Sequence, residues 1–284
     1  MATIAEPLPR SLPRRTSSAH GTALVTLIGR RMSLTAGNPR QVLVPLVGPA
    51  LLALVVAPAL QVATGGLHSG IDYMAFVGAG AIGLVVPLSC IFAGLSVIVD
   101  RHAGAQRELL AAPVPRAFLV AANLAVAMVL SALQVAALIG LSALRGADFH
   151  VTAAGLGWFA GGTVLFAVFM YCVAEALAAR VDREEEYVGA VPALAILPFF
   201  LAGALYPISA MPGALTAIAK ALPLTHALAL IRYGVVDHSG RSLHDIWGAG
   251  SATGQAWLSL AVVAAFAVAS VVLAVRVFAR AAVK

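Results

Sequence analysis

The chain has 284 residues, of which 61% are hydrophobic and 11% charged, with a formal net charge of +6 at neutral pH. Its mean hydropathy is +0.96. A soluble domain carries about 25% charged residues, so a water-soluble globule is excluded and the natural solvent is a bilayer. The basic residues stand mostly at the ends of apolar runs, which reads as orientation and headgroup contact rather than as a nucleic-acid surface.

In chain order, residues 1–20 are rich in Pro, Ser and Arg and read as a disordered cytoplasmic tail. They do not read as a cleavable signal, because the basic region is long and no short apolar core with a small-residue cleavage site follows. Residues 21–40 mix Leu24, Leu27, Ile28, Met32 and Leu34 with Arg30, Arg31 and Arg40 at helical spacing. That pattern predicts an amphipathic interfacial helix ended by Asn38-Pro39. Two uses stay open for it: contact with a partner protein, or rest among lipid headgroups.

A transmembrane domain over residues 41–284 follows, with six predicted spans at about 41–63, 73–99, 117–144, 151–178, 188–206 and 256–278. Each is long enough to cross about 30 Å of hydrocarbon at roughly 1.5 Å per residue. Pro45, Pro49 and Pro58 fall inside the first span, where neighbouring helices can re-satisfy the backbone. Cys90 and Cys172 both lie inside apolar runs, with no Cys-x-x-Cys spacing, and read as core residues. Pro207 to Arg232 is too apolar for an ordinary loop and is broken by Pro207, Pro212, Gly213 and Pro223. Irregular backbone at membrane depth must be shielded by protein, so this stretch predicts re-entrant outer helices between spans 5 and 6. The remainder, to about Gly254, reads as an exposed loop.

With the N-terminus inside, 14 of the 18 basic residues fall on one side, against Arg145, Lys220, Arg232 and Arg241 on the other. The positive-inside rule places both termini in the cytoplasm.

Two charged islands interrupt the cytoplasmic side. Asp100 to Arg116, DRHAGAQRELLAAPVPR, holds an Asp, a Glu, three Arg and a His between two long apolar runs. Ala179 to Tyr187 carries Glu184, Glu185 and Glu186, read as a solvated acidic turn or a second protein contact. Glu175 is the one acidic residue well inside an uncharged run; a buried carboxyl there suggests function by default, but Arg180 lies five residues on as a pairing candidate. Asp237, His238, His244 and Asp245 cluster in a loop and read as solvated rather than as a metal site.

The first island resembles the cytoplasmic signature of the ABC type-2 transporter permeases, through Asp100, Arg101, Gly104, Leu109, Leu110, Pro113, Val114 and Arg116. Phe200 to Arg232 resembles the outer segment of the same family, through Gly203, Tyr206-Pro207, Met211-Pro212, Pro223-Leu224-Thr225 and Arg232. The look is that of the daunorubicin-resistance and nodulation-type drug or lipooligosaccharide exporters. One departure is His102, where many members carry Glu, which would alter contacts at that site.

The resemblance implies a membrane-spanning permease subunit that moves a hydrophobic or amphipathic compound out of the cytoplasm. It implies an ATP-binding-cassette subunit on a separate chain and a second permease chain, identical or related. ATP and Mg would be bound by that partner, since this chain has no GxxxxGK[ST] and neither Lys220 nor Lys284 follows a glycine. Under this reading a coupling helix from about Arg101 to Leu110 docks on the ATPase. Arg101, Arg107 and Glu108 make rim ion pairs, Leu109 and Leu110 act as anchors, and Asp100, His102, Gly104, Pro113 and Arg116 complete the element. An outer gate involves Gly203, Tyr206, Pro207, Pro212, Pro223, Thr225 and Arg232, with a fixed plug as the alternative. Export of polysaccharide or lipooligosaccharide by the same fold is the runner-up. An ion-coupled transporter is disfavoured by mid-spans empty of charge. A membrane-embedded lipid enzyme is disfavoured by the lack of acidic or His clusters at one bilayer face.

Overall fold

A computed structural model describes residues 17–63, 72–104 and 116–281. The described residues are helical with no strands: an all-α membrane protein. Five helical stretches are long and apolar enough to cross a bilayer, or six if a bent pair is counted as one.

Helix α1 (Ser17–Ala36) starts four residues before the predicted interfacial helix and stops, as expected, before Asn38-Pro39. It is not only a headgroup float. It packs along the third span, and Arg31 and Thr35 are buried. The first span is built from α2 (Arg40–Leu51), a π turn (Leu52–Val56) and α3 (Ala57–Ala63). The wide turn sits just before Pro58, whose ring would otherwise press on the carbonyl four residues back. Exposed Leu43, Val47, Leu51 and Val55 recur at helical spacing along this span, as a lipid-facing stripe should.

The second span, α4 (Tyr73–His102), is continuous through Pro87. Asp72 caps its start: one carboxylate oxygen accepts from Met74 N at 2.9 Å, the other from Asp148 N at 2.6 Å. The third and fourth spans are α5 (Arg116–Leu144) and α6 (Ala153–Ala178). The last is α12 (Ala252–Ala281). Helices α4 and α6 form the centre of the bundle, with α12 packed against α6. Trp158 meets Trp257 edge-on at 4.9 Å, and Phe169 meets Phe266 at 5.8 Å.

The fifth crossing departs from its predicted bounds. It begins at α7 (Glu184–Gly189), passes a π turn (Pro192–Ile196) and ends in α8 (Leu197–Leu201), so it lies earlier than 188–206. Here too the wide turn precedes a proline, Pro198, and the helix gives way before Gly203, whose φ is +73°. Its neighbours show that it crosses. Glu184 lies by His102 at one end of α4, and Tyr187 Oη donates to Ile91 O at 2.9 Å. Gly203 and Ala204 lie beside Phe76, near the other end of α4. The path 184–201 covers about 27 Å at roughly 1.5 Å per residue.

Helices α9 (Gly213–Ala221) and α10 (Pro223–Val235) meet at 82°. The start of α10 touches Gly83, through Leu224 and Leu228, while its end reaches Phe76 through Arg232. Gly83 lies ten residues below the start of α4, about 15 Å in. The pair therefore dips about halfway and returns, as a re-entrant unit, and nearly every residue of α10 is buried. The stretch after it is not wholly loop. Helix α11 (Arg241–Trp247) buries Leu243 and Ile246 against the bundle.

Candidate functional site at the two ends of helix α4

At the island end, α4 runs three residues past the predicted span, so Asp100, Arg101 and His102 form its last turn. The turn closes at Gly104, whose φ of +76° is the left-handed conformation that favours glycine. A separate coupling helix therefore does not start at Arg101: those residues finish α4, and Gly104 ends it. Arg107, Glu108, Leu109, Leu110 and Pro113 lie outside the described residues, and Arg116 opens α5.

Asp100 and Arg101 of that turn are committed to this chain. Asp100 accepts from Arg31 Nη1 at 2.5 Å, with the arginine side chain 9% and the aspartate 24% exposed. This pair fastens α1 to α4. Arg101 donates to the carbonyls of Ala178, at 3.3 Å, and Val181, and its contact with exposed Asp182 at 3.7 Å adds little. It thus ties α4 to the end of α6. His102 Nδ1 stands 3.9 Å from Glu184 Oε1, both exposed. The three glutamates form the first turn of α7, where the helix dipole favours acid. Tyr187, fully buried behind them, fixes α7 to α4. Glu175 is buried and accepts from Tyr171 Oη at 2.8 Å; Tyr171, not Arg180, is its partner.

At the opposite end the organising side chain is Arg232. It is 5% exposed. Nη1 donates to Gly203 O at 3.0 Å, Nη2 to Ala204 O at 2.7 Å, and Nε and Nη2 both reach Phe76 O at 3.4 Å. The guanidinium carbon lies 3.4 Å over the Phe76 ring, a cation–π contact strengthened by exclusion of water. The Gly203 and Ala204 carbonyls are free because the chain leaves helical geometry after Leu201. One arginine therefore clamps the broken backbone, α4 and α10 together. Gly80 makes room for it: a Cβ there would enter the Ala204 carbonyl and sit 2.9 Å from Arg232 Nη2. Tyr73 adds a second tie through its hydroxyl to Leu205 O.

The other predicted gate residues surround this clamp. Tyr206 Oη donates to Phe200 O at 3.1 Å. Pro207 precedes a single 3-10 turn, Ile208–Ala210, and Pro212 precedes α9. Pro223 is the first residue of α10. Thr225 is buried, its hydroxyl without a partner among the described residues, and it lines a cavity of about 10 Å³ together with Arg232 and Asp245. A polar relay sets the re-entrant pair against α12: Trp247 Nε1 donates to Ser259 Oγ at 2.8 Å, Ser259 to His226 Nδ1 at 3.3 Å, and His226 Nε2 to Lys220 O at 2.9 Å. His238 and His244 bond backbone carbonyls, and the described residues hold no cluster fit for a metal ion.

The sequence alone does not single out Arg31, Phe76, Gly80, Tyr187 or His226 as site residues. In the charge count Arg31 and Arg232 serve only as topology markers. Arg232, already a gate residue through the resemblance, is a lone arginine within an apolar, helix-periodic stretch, whereas Arg31 follows Arg30 and carries no such signal.

Among curated proteins, none matches this sequence. The family described as ABC-2 type transporter matches residues 22–236. That stretch runs from α1 to the end of α10 and contains the island, both ends of α4 and the arginine clamp. This multi-pass membrane protein therefore belongs to the ABC-2 type transporter family, as a permease subunit.

Proposed function

We propose that this chain is the membrane-spanning half of an exporter in the plasma membrane, with both termini cytoplasmic. It moves a hydrophobic or amphipathic compound outward, driven by ATP hydrolysed on a separate subunit, and works as a pair of permease chains. ABC-2 permeases normally work with an ATP-binding-cassette subunit, and the positive-inside count puts the Asp100 to Arg116 island on the side where ATP is found.

The observation that carries the mechanism is the single helix α4. It has 30 residues, about 45 Å at roughly 1.5 Å per residue. One end is bonded to α1 and to the end of α6, and leads into the island. The other end carries Tyr73 and Phe76, which hold Leu205 and Arg232. A partner that moves the island moves α4 as a body, and with it α1 and the fourth span. The far end then shifts against the 203–205 backbone. Release of Arg232 from the Gly203 and Ala204 carbonyls would give the clamp a second, open position, and an element with two positions turns a small displacement into opening. ATP binding would bias it by favouring one position.

The test is a pair of cysteines introduced at Tyr73 and Leu205, bridged by a short bifunctional maleimide in membranes that contain the ATPase. Bridging should stop substrate efflux while ATP is still hydrolysed. Efflux at the unbridged rate from bridged chains would show that this end does not open.

A further inference from the structure

A polar pocket lies between α1, α4 and α5, with Gln41 of α2 also lining it, away from the arginine clamp. It starts at the Arg31–Asp100 pair and runs inward past Ser96 and Asn123 to Ser89 and Gln134. From Asp100 to Ser89 is eleven residues of α4, about 16 Å at roughly 1.5 Å per residue, so the track reaches the middle of the membrane. At its inner end Gln134 is 1% exposed, accepts from Ser89 Oγ and donates to Val42 O at 2.6 Å. That end is satisfied.

The half nearer the island is not. Arg31 uses Nη1 for Asp100, while Nη2, buried, meets no acceptor among the described residues. Asn123 lines the same pocket seven residues into α5, and its side-chain amide has no hydrogen bond among the described residues. A donor shut away from water without an acceptor is costly, as Arg31 Nη2 is here; Asn123 is half-buried. The cavity is about 20 Å³, room for one or two water-sized groups. Phe92, Val126 and Leu130 supply an apolar wall beside it.

Resting on the permease reading, we infer that this pocket receives the polar group of the transported compound, and that this group is an uncharged hydroxyl or amide carried on an apolar body. Three features select that chemistry. Asp100 already neutralises Arg31, so an added anion would meet a carboxylate as well as the guanidinium. Arg31 Nη2 offers a donor, and the Asn123 amide offers both a donor and an acceptor, which a hydroxyl or amide answers in both directions. The cavity holds one such group at a time, and the rest of the molecule lies along the apolar wall. Arg31, paired with Asp100 in the last turn of α4, marks the end of the pocket nearest the island, so entry from the leaflet on that side goes with the inference.

The experiment uses the full chain, without ATPase, in phosphatidylcholine vesicles. The probes are a diazirine-bearing long-chain alcohol and the matched alkyl sulfate, with adducts mapped by peptide mass spectrometry. The alcohol should label segments 89–96 and 123–134 saturably. Labelling should fall about tenfold in Asn123→Leu, the effect of one hydrogen bond lost, and persist in Asn123→Gln. The alkyl sulfate should give only background there. Labelling that does not saturate, or is equal in Asn123→Leu, means that water alone fills the pocket and overturns the inference. Equal or stronger labelling by the sulfate overturns the neutral-ligand choice and points to an anionic lipid or substrate. None of these outcomes depends on ATPase binding, so the inference can fail while the permease reading stands.

Discussion

Replacing Arg232 by Met removes the charge but keeps an apolar side chain of similar length. Two short hydrogen bonds disappear, to Gly203 O at 3.0 Å and Ala204 O at 2.7 Å, together with the cation–π contact to Phe76. Both carbonyls belong to buried residues. A buried acceptor left without a donor costs about 1–3 kcal/mol, so the pair costs roughly 2–6 kcal/mol. The 3.4 Å contacts to Phe76 O add little. Relief of guanidinium desolvation acts on the other side, which favours the lower part of that range. At about 2–4 °C per kcal/mol, the apparent Tm of the purified chain in detergent should fall by at least roughly 4 °C. Ala204 is fully buried in the native chain, so a cysteine introduced there should become reactive to maleimide only in the Arg232→Met background. Arg232→Lys keeps the charge but loses the fork that spans two carbonyls, and should fall between Met and the native chain. If Arg232→Met melts with the native chain and the cysteine introduced at Ala204 stays protected, the clamp is not what holds this backbone and the reasoning is wrong.

Gly80→Ala should reproduce the Arg232→Met phenotype, since its Cβ would press on Ala204 and Arg232; the two changes combined should cost clearly less than their sum in a thermal-shift double-mutant cycle. Arg31→Met and Asp100→Asn should each lower efflux without lowering membrane insertion. The charge-swapped double, Arg31→Asp with Asp100→Arg, should recover part of the loss, read as transport in vesicles with the ATPase present. Tyr187→Phe removes donation to Ile91 O at 2.9 Å and should destabilise by about 1 kcal/mol, measured as the same thermal shift.

The spans and the re-entrant pair were legible because the bilayer enforces long apolar runs and because Pro212, Gly213 and Pro223 mark where helix must stop. The fifth crossing was harder. Its start is three glutamates that read as loop but serve as the first turn of α7, and its end is set by Gly203 rather than by a change in polarity. The ties at both ends of α4 were invisible for a different reason. Arg31 and Asp100 are 69 residues apart, and pairing at that distance leaves no local pattern. Arg232 bonds only to carbonyls, which every residue has, so its partners carry no sequence signature at all. An arginine inside an apolar run reads as a topology marker, whereas at positions 31 and 232 the fold buries it. The first island and the gate motifs stood out through resemblance, and the structure adds that Asp100 and Arg101 face their own chain.

The central claim is that the Asp100 to Arg116 island couples this permease to a separate ATPase. The most direct measurement is affinity purification of the chain from native membranes, with peptide identification of what accompanies it. The account predicts a P-loop ATPase that co-purifies with the native chain and is lost when Arg107 and Glu108 become Ala, with insertion unchanged. A chain that purifies alone at native expression, or an ATPase retained by the double variant, would contradict it.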